Sequence, residues 1–393
     1  MIAFLLAVAS IHTDFEGGSL GRVERPAENH FRCAVKGEAD QDGRNRQANW
    51  YYFRLDGAAG RDVTIDLVDL VGEYNYRSGT HAVTNDTHPV YSYDQRSWHH
   101  FERIEWDERE IRLRLRFRPE RGRVWIAHVP PYTNRDLARL LDGFRGHQHL
   151  KREVAGRTAR GREVLLLTVT NPAVAAAGKK VAWMMFRQHS WETGSSWVAE
   201  GALRYLLSAD PAAQRLRDEV IFRIFPLADP DGVARGGVRF NAYGYDLNRN
   251  WDAVDTARMP EIAAQRKAVL DWVDAGRRID LFLTLHNTET SEYLEGPDVP
   301  VLRRFYDALV AATTFAPTSP ARVQPASTTP GKPGRMTVAQ GLYHDRKIPA
   351  MTMEQMVARN PKLGRFPTVT DRQEFGAGLV RAAWQALTAA RSE

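Results

Sequence analysis

The length and composition of this chain exclude several classes of protein. Its 393 residues, 43% hydrophobic and 26% charged, are typical of a soluble two-domain enzyme, and no stretch approaches the roughly 20 apolar residues that span a bilayer. The single cysteine, Cys33, excludes an intramolecular disulfide framework and a cysteine-rich zinc site, so any metal must be held by histidine and carboxylate side chains. The net charge of +6 is spread along the chain without a basic run, so we expect a solvated basic surface and no nucleic-acid partner.

The first residues do not determine the cellular compartment of the protein. Residues 2–9 (IAFLLAVA) are apolar and end in an Ala-x-Ala pattern, but no Lys or Arg precedes them and the segment is short for a signal peptide. A first strand and a truncated export signal fit equally well. Both a cytoplasmic and an exported protein therefore remain open.

Short strands are predicted between about residues 11 and 129. The clearest candidates are residues 50–55 (WYYFRL), 63–68 (VTIDLV) and 111–118 (IRLRLRFR). The last of these alternates apolar residues with arginine at period two, so one face is apolar and the other basic. We therefore predict an antiparallel β-sandwich domain over residues 1–130, followed by a helix at 134–144.

After residue 150 the pattern changes to apolar strands that alternate with helices. The predicted strands are residues 164–169, 181–186, 220–225, 279–285 and 348–353. Continuous apolar runs indicate strands buried on both faces of a sheet, and helices predicted at 196–207 and 260–272 fit between them. We predict an α/β catalytic domain over residues 131–393, with a mixed sheet between two helical layers.

Polar residues follow four of these strands, at or just after their predicted carboxyl ends. They are His189, Asp229, His286 and Glu354. In α/β sheets, ligands bind in the crevice beyond the carboxyl ends of the strands. We therefore expect side chains from these distant segments to converge on one site.

Three of the residues near these strand ends form a candidate metal-ligand set. His189 and Glu192 are three positions apart, so a turn-like conformation directs both side chains to one side. With His286 the set becomes two histidines and one glutamate, which leaves a position open for water, as a catalytic zinc site requires. An H-x-x-E pattern alone is common by chance, so the prediction depends on the other strand ends.

Further candidates follow in the chain. Arg249 offers a planar fork that matches a carboxylate, and Asn248 beside it supplies further donors, so the pair suits the terminal carboxylate of a peptide. A loop held by its own Asn and Arg hydrogen bonds fits this segment equally well. Glu354 would be costly to bury ionised without a partner, and either a nearby metal or a strand-end salt bridge would supply one.

Taken together, these segments resemble the zinc carboxypeptidases, specifically the cytosolic-carboxypeptidase-like branch. The segments that carry the resemblance are 186–197 (FRQHSWETGSSW), 229–232 (DPDG), 246–251 (DLNRNW), 285–286 (LH) and 352–354 (TME). Their order and approximate spacing are similar over residues 130–380, and the preceding β-rich segment resembles the amino-terminal domain of that branch. Five linked motifs in order are far more specific than any one of them.

The resemblance implies a ligand set and a catalytic base. One zinc ion per chain would be held by His189, Glu192 and His286, with Glu354 as the general base. The expected reaction is hydrolysis of the carboxy-terminal peptide bond, and the expected partners are peptide or protein carboxy-termini. The sequence does not indicate the oligomeric state.

The resemblance also implies how substrate is held. Arg239 would polarise the scissile carbonyl, while Asn248 and Arg249 would hold the terminal carboxylate. Many carboxypeptidases of this family carry a mobile tyrosine, and spacing assigns that role to no residue here. Gln188 and Trp191 also depart from the residues that many relatives carry at these positions, which we expect to reshape the rim of the site only.

Two alternative functions remain open. A deacylase of N-acyl amino acids uses a related zinc site, although the long β-rich domain favours the peptidase. A non-catalytic zinc protein that captures carboxylates has no use for Glu354. Lys332 and Arg335 could line the pocket for the terminal side chain or lie in an exposed basic loop, and we interpret His99 and His100 as a surface pair rather than a second metal site.

Overall fold

The computed structural model describes residues 8–318 and 333–389. Twelve of the described strands precede residue 130 in the chain. They are β1 (Ser10–His12), β2 (Val23–Ala27), β3 (His30–Ala34), β4 (Tyr52–Asp56), β5 (Val63–Val68), β6 (Gly72–Tyr74), β7 (Arg77–Thr80), β8 (Val90–Ser92), β9 (His99–His100), β10 (Glu105–Asp107), β11 (Arg112–Phe117) and β12 (Arg123–Ala127).

Ten of these strands form two five-stranded sheets, and β6 and β7 form a separate hairpin. The sheet orders are β1-β4-β12-β8-β9 and β10-β11-β5-β3-β2. Every pair is antiparallel except β3 with β5, which is parallel. Apolar side chains from both sheets, such as Phe53, Ile126, Ile65 and Leu115, share one core. The predicted β-sandwich is confirmed, with the parallel pair as its exception, and Cys33 lies buried in this core.

The later residues alternate helices and strands. The elements are α1 (Asn134–Gly143), β13 (Leu150–Arg157), β14 (Glu163–Val169), β15 (Lys180–Phe186), α2 (Thr193–Leu206), α3 (Pro211–Glu219), β16 (Val220–Phe225), α4 (Pro230–Arg235), α5 (Pro260–Asp274), β17 (Leu281–Thr288), β18 (Tyr293–Glu295), α6 (Pro300–Ala312), α7 (Val338–Arg346), β19 (Ala350–Met356) and α8 (Val369–Thr388).

The seven strands of this part form one mixed sheet in the order β13-β14-β16-β15-β17-β19-β18. The four central strands, β16, β15, β17 and β19, are parallel, and the outer pairs are antiparallel. One face packs on α1, α2, α6 and α8, and the other on α5 and α7. The predicted α/β/α mixed-sheet fold is therefore confirmed.

Local sequence explains where several helices begin. Thr133 and Asp136 form a capping box at α1, and Thr368 and Asp371 form another at α8. Asp210 accepts a hydrogen bond from the Ala212 N–H at the start of α3, where Pro211 occupies the first turn. Such caps satisfy backbone N–H groups that have no partner within the helix.

Two of the predicted strands extend further than expected. Strands β17 and β19 continue to Thr288 and Met356, so His286 and Glu354 lie within strands rather than just beyond them. Residues 2–7, which carry most of the possible export signal, lie outside the described residues. In the described part of the chain, every helix is too short or too polar to cross a lipid bilayer.

Candidate active site

A tight turn after β15 presents the first two candidate metal ligands. Arg187 adopts φ 63° and is 1% exposed, and its guanidinium donates from Nε to the Ser190 carbonyl (2.8 Å) and from Nη1 to Ser196 Oγ (3.0 Å). The Glu192 N–H donates to the His189 carbonyl at 3.2 Å. The buried arginine thus holds the turn in which His189 and Glu192 share one side.

His189, Glu192 and His286 meet at one point. Glu192 Oε1 lies 2.7 Å from His189 Nδ1, and Glu192 Oε2 lies 2.9 Å from His286 Nδ1. The two Nδ1 atoms are 3.3 Å apart. All three residues are buried. Within residues 8–318 and 333–389, no other cluster of histidine, cysteine or carboxylate side chains is close enough to hold a metal ion.

The opposite nitrogen of each imidazole already has a polar partner. His189 Nε2 lies 3.0 Å from Asp246 Oδ1, and His286 Nε2 lies 3.0 Å from Gln188 Oε1. Both acceptors place a proton on Nε2, which leaves the Nδ1 lone pair of each ring available. The sequence interpretation placed Gln188 at the rim, but it is fully buried behind His286.

This donor set fits a zinc ion. Two nitrogens at 2.0–2.1 Å from a tetrahedral zinc ion are about 3.3–3.4 Å apart, which is the Nδ1 separation found here. Burial would raise the pKa of Glu192, but His189 and His286 lower it to about 2, so the carboxylate is ionised. A cation shared by the three buried groups would offset the repulsion between the lone pairs that face one another.

Glu354 lies beside this group on the adjacent strand. Its Cα pairs with that of His286 in the parallel register of β17 and β19. Glu354 Oε2 is buried and has no hydrogen-bond partner among the described residues. Burial, and then the negative charge of Glu192, raise the pKa of Glu354 well above its ordinary value.

Arg239 is held beside the metal-ligand group by Asp246. Arg239 Nε donates to Asp246 Oδ2 at 2.7 Å, while the other oxygen of Asp246 faces His189. One carboxylate therefore orients both the guanidinium and an imidazole. Asp246 lies in the motif at 246–251, but its role is not predictable from the sequence, because only the folded chain brings it to His189.

Asn248 and Arg249 lie on the same cleft. Asn248 Oδ1 accepts the Val338 N–H at 3.0 Å, and its Nδ2 lies 3.3 Å from His286 Nε2. Arg249 Nη1 donates to the Asn248 carbonyl at 2.8 Å. Burial lowers the pKa of Arg249, and Asp246 opposes this effect. The hydrogen bonds from the Val338 N–H to Asn248 and from Arg249 to the Asn248 carbonyl orient these side chains beside the metal-ligand group. Asn248 Nδ2 and the protonated His286 Nε2 are both donors, so this approach is not a hydrogen bond.

One cleft of about 240 Å³ unites the predicted site residues. Six of the seven line it, and His286 lies directly behind its wall. Tyr293, which no sequence signal singled out, also lines the cleft and pairs with Glu354 in the antiparallel register of β18 and β19. Trp191, a second residue named at the rim, lines it as well.

Other residues named from the sequence have structural roles. Asp229 caps α4 by accepting the Gly232 N–H at 2.8 Å, and it does not line the cleft. Arg335 lies against the ring of Tyr76, 5.5 Å from its centroid, while Lys332 lies outside the described residues. His99 is exposed, but His100 stacks on Phe366, so the two do not form a simple surface pair.

The fold and the site define a class of protein. A mixed α/β sheet places two histidines and a glutamate at the carboxyl ends of parallel strands, with a second glutamate and an arginine beside them. This arrangement is typical of hydrolases that use a zinc ion bound at the edge of a mixed α/β sheet.

Comparison with known proteins relates both parts of the chain to carboxypeptidases. Residues 141–294 match the model of the zinc carboxypeptidase family, and residues 11–129 match that of the cytosolic carboxypeptidase N-terminal domain. The two matches lie in the order in which the β-sandwich and the mixed-sheet part follow one another in the chain.

Individual relatives agree with these matches. The chain is 29% identical to an uncharacterised protein of Zymomonas mobilis, over 64% of this chain and 62% of that protein. It is 26% identical to cytosolic carboxypeptidase 6 of Mus musculus, over 70% of this chain and 52% of the mouse protein. The chain thus spans less than two thirds of these curated relatives.

Solved structures share the whole fold. The chain is similar to a metallo-carboxypeptidase from Burkholderia cenocepacia, with a TM-score of 0.81, 25% identity and coverage of 96% of this chain and 98% of that one. A metallo-carboxypeptidase from Pseudomonas aeruginosa has the same fold, with a TM-score of 0.79, 24% identity and coverage of 96% and 98%.

Proposed function

We propose that this protein is a zinc metallocarboxypeptidase that hydrolyses the carboxy-terminal peptide bond of peptides or proteins. The observation that carries the proposal is the common cleft, where Glu354 and Arg239 lie beside the His189–Glu192–His286 group. We also propose that residues 1–130 and 131–393 are separate domains, which the limits of the two matched family models support.

Different side chains of the cleft would carry out different steps of peptide hydrolysis. A zinc ion held by the three ligands would polarise the scissile carbonyl and lower the pKa of a water molecule. Glu354 accepts the proton of the attacking water and returns it to the leaving amine, and its Oε2, unpartnered among the residues that the structure describes, is free to do so. Arg239 donates to the oxyanion, where the loss of one donor typically costs about 3 to 4 kcal/mol.

Asn248 and Arg249 would select a chain end. A guanidinium and an amide side by side offer several N–H donors to a carboxylate, which only the last residue of a peptide carries on its backbone. Binding this group places the preceding peptide bond at the ligand group. The enzyme would therefore release one terminal residue at a time.

Glu354→Gln tests the proposed base. The variant keeps the size of the side chain but cannot accept a proton, so we expect turnover of peptides to fall by at least about a thousandfold, within the range removed by loss of a proton-transfer group. Zinc content should stay at one ion per chain. Mass spectrometry of digested peptides and metal analysis of the same samples measure both quantities.

Glu292→Gln is the matched control. Glu292 is also buried but does not line the cleft, so this variant should hydrolyse peptides at the wild-type rate. Near-normal activity in Glu354→Gln would remove Glu354 from the mechanism. Wild-type protein that hydrolyses acetylated amino acids but not peptides would establish the deacylase instead, and a peptide left intact while bound would establish a binding protein.

A further inference from the structure

The amino-terminal β-sandwich supplies part of the cleft. Gln47, Asn49, Tyr74 and Asn75 line it together with the residues of the catalytic part. All four are uncharged, whereas the catalytic part contributes charged groups such as Arg249. We call Gln47, Asn49 and Asn75 the amide wall.

Asn49 is the most buried member of the amide wall. It is 1% exposed, and its Nδ2 donates to Glu289 Oε1 at 2.8 Å. Because the Asn49 N–H groups face this carboxylate, its Oδ1 is directed elsewhere, and that atom has no hydrogen-bond partner in the described part of the chain. A buried amide oxygen without a partner destabilises the protein, and a bound N–H donor would offset this cost.

A hairpin fixes the position of the amide wall. Asn75 (φ 51°) and Tyr76 (φ 62°) form the two-residue turn between β6 and β7, with the positive angles of a type I′ turn. The Tyr76 ring packs on Arg335 of the catalytic part, and Tyr74 Oη accepts the Ala48 N–H at 3.2 Å. The hairpin therefore contacts both the segment that carries Asn49 and Arg335 of the catalytic part.

We propose that the amide wall binds the peptide segment that precedes the scissile bond, with Asn49 Oδ1 accepting a backbone N–H. This inference rests on the proposed function. Since Asn248 and Arg249 hold the terminal residue, the rest of the substrate extends in one direction only. Amide side chains both donate and accept, as the peptide backbone does, so this subsite recognises an extended backbone whatever its side chains.

A series of peptides with the same last two residues tests the subsite. A dipeptide has no amide N–H except that of the scissile bond, while longer peptides add one N–H per residue. We expect wild-type kcat/KM to rise with length, and Asn49→Ala to lower kcat/KM about tenfold for a tetrapeptide but less than twofold for the dipeptide.

N-methylated substrates locate the contact. Methylation of one upstream N–H should lower wild-type kcat/KM about tenfold, and the same methylation should have no further effect in Asn49→Ala, because both changes remove one hydrogen bond. The wild-type scan with methylated peptides also tests the subsite without any variant, should Asn49→Ala fold poorly. Asn85→Ala, an exposed amide of the same domain, is the control and should match wild type at every length.

Four outcomes separate the hypotheses. An equal loss for dipeptides and tetrapeptides would overturn the subsite, and so would a changed choice of terminal residue in Asn49→Ala. A wild-type enzyme insensitive to methylation of every upstream N–H would overturn it too. Failure of wild-type protein to cut any peptide would instead reject the proposed function.

Discussion

At the scale of single residues, the carboxylate of Asp246 orients two functional groups. Asp246 contacts His189 with one oxygen and Arg239 with the other, at 3.0 and 2.7 Å. Burial would raise the pKa of Asp246, but Arg239 and then His189 lower it well below its ordinary value. The charge that fixes the tautomer of His189, a proposed metal ligand, thus also orients the Arg239 guanidinium toward the cleft.

The depressed pKa of Asp371 predicts how the stability of the fold depends on pH. Burial would raise its pKa, but hydrogen bonds from Arg365 and Thr368 lower it to about 2. A carboxyl with a depressed pKa stabilises the fold above its unfolded pKa of about 3.9, and this contribution is lost as the pH falls toward 2. We expect Asp371→Asn to lower the free energy of unfolding by about 1 to 2 kcal/mol at pH 7 and by less at pH 3.

Urea unfolding at pH 7, 5 and 3 measures this difference. Asp142→Asn removes an exposed partner of Arg145 and is the control, with little expected effect at any pH. A difference between Asp371→Asn and wild type that stays constant down to pH 3 would contradict the depressed pKa.

At the scale of elements, the position of Glu192 depends on the contact between α2 and α8. Helix α2 begins at Thr193, immediately after this ligand. A Cβ added at Gly201 would lie 2.0 Å from the Gln373 carbonyl oxygen, and one added at Gly376 would lie 2.1 Å from the Val198 carbonyl oxygen. The two glycines therefore allow the helix backbones to approach closely.

Gly201→Ala should destabilise the protein by about 1 to 3 kcal/mol, because the new methyl group has no space and the helices must separate. Gly143→Ala, at the end of α1, meets no atom within 4 Å and should leave stability equal or slightly higher. Urea unfolding compares the two variants. Equal midpoints for Gly201→Ala and wild type would show that the helices do not pack this closely.

At the scale of the whole molecule, the ligand group joins segments that are distant in sequence. His189 and His286 are 97 positions apart: His189 lies in the turn after β15, and His286 lies within β17. A metal ion that binds both therefore binds the folded chain only. Ligand binding to the native state stabilises a protein by about 2.7 kcal/mol at a concentration 100 times the dissociation constant.

We therefore expect a chelator to lower the Tm and added zinc to restore it. Calorimetry of wild type, Glu354→Gln and His286→Ala measures the response. Glu354→Gln keeps all three ligands and should respond as wild type does, whereas His286→Ala should lose the response. A Tm of wild type that is independent of zinc would argue against this ligand group.

The fold was predictable where structure follows from local composition. Strand β16 matches its predicted range, and β14 and β15 each begin one residue earlier than predicted, because burial on both faces demands a continuous apolar run. The short, half-buried strands β6 to β10 escaped prediction, since a few alternating residues carry a weak signal. The edge strand β18 was missed for the same reason.

The chain's own sequence determined the types and order of the site residues: two histidines and the glutamates stand at or near recognisable strand ends, and the arginines lie in the segment between α4 and α5. Tertiary structure alone decided which other groups join them. Asp246 and Asn49 reach the site through loop and domain packing, and such contacts leave no periodic pattern in either segment. The physical reason is that the burial of a strand depends on the apolar pattern of consecutive residues, which the sequence shows directly. The walls of a cleft depend on surfaces that meet only after both parts have folded.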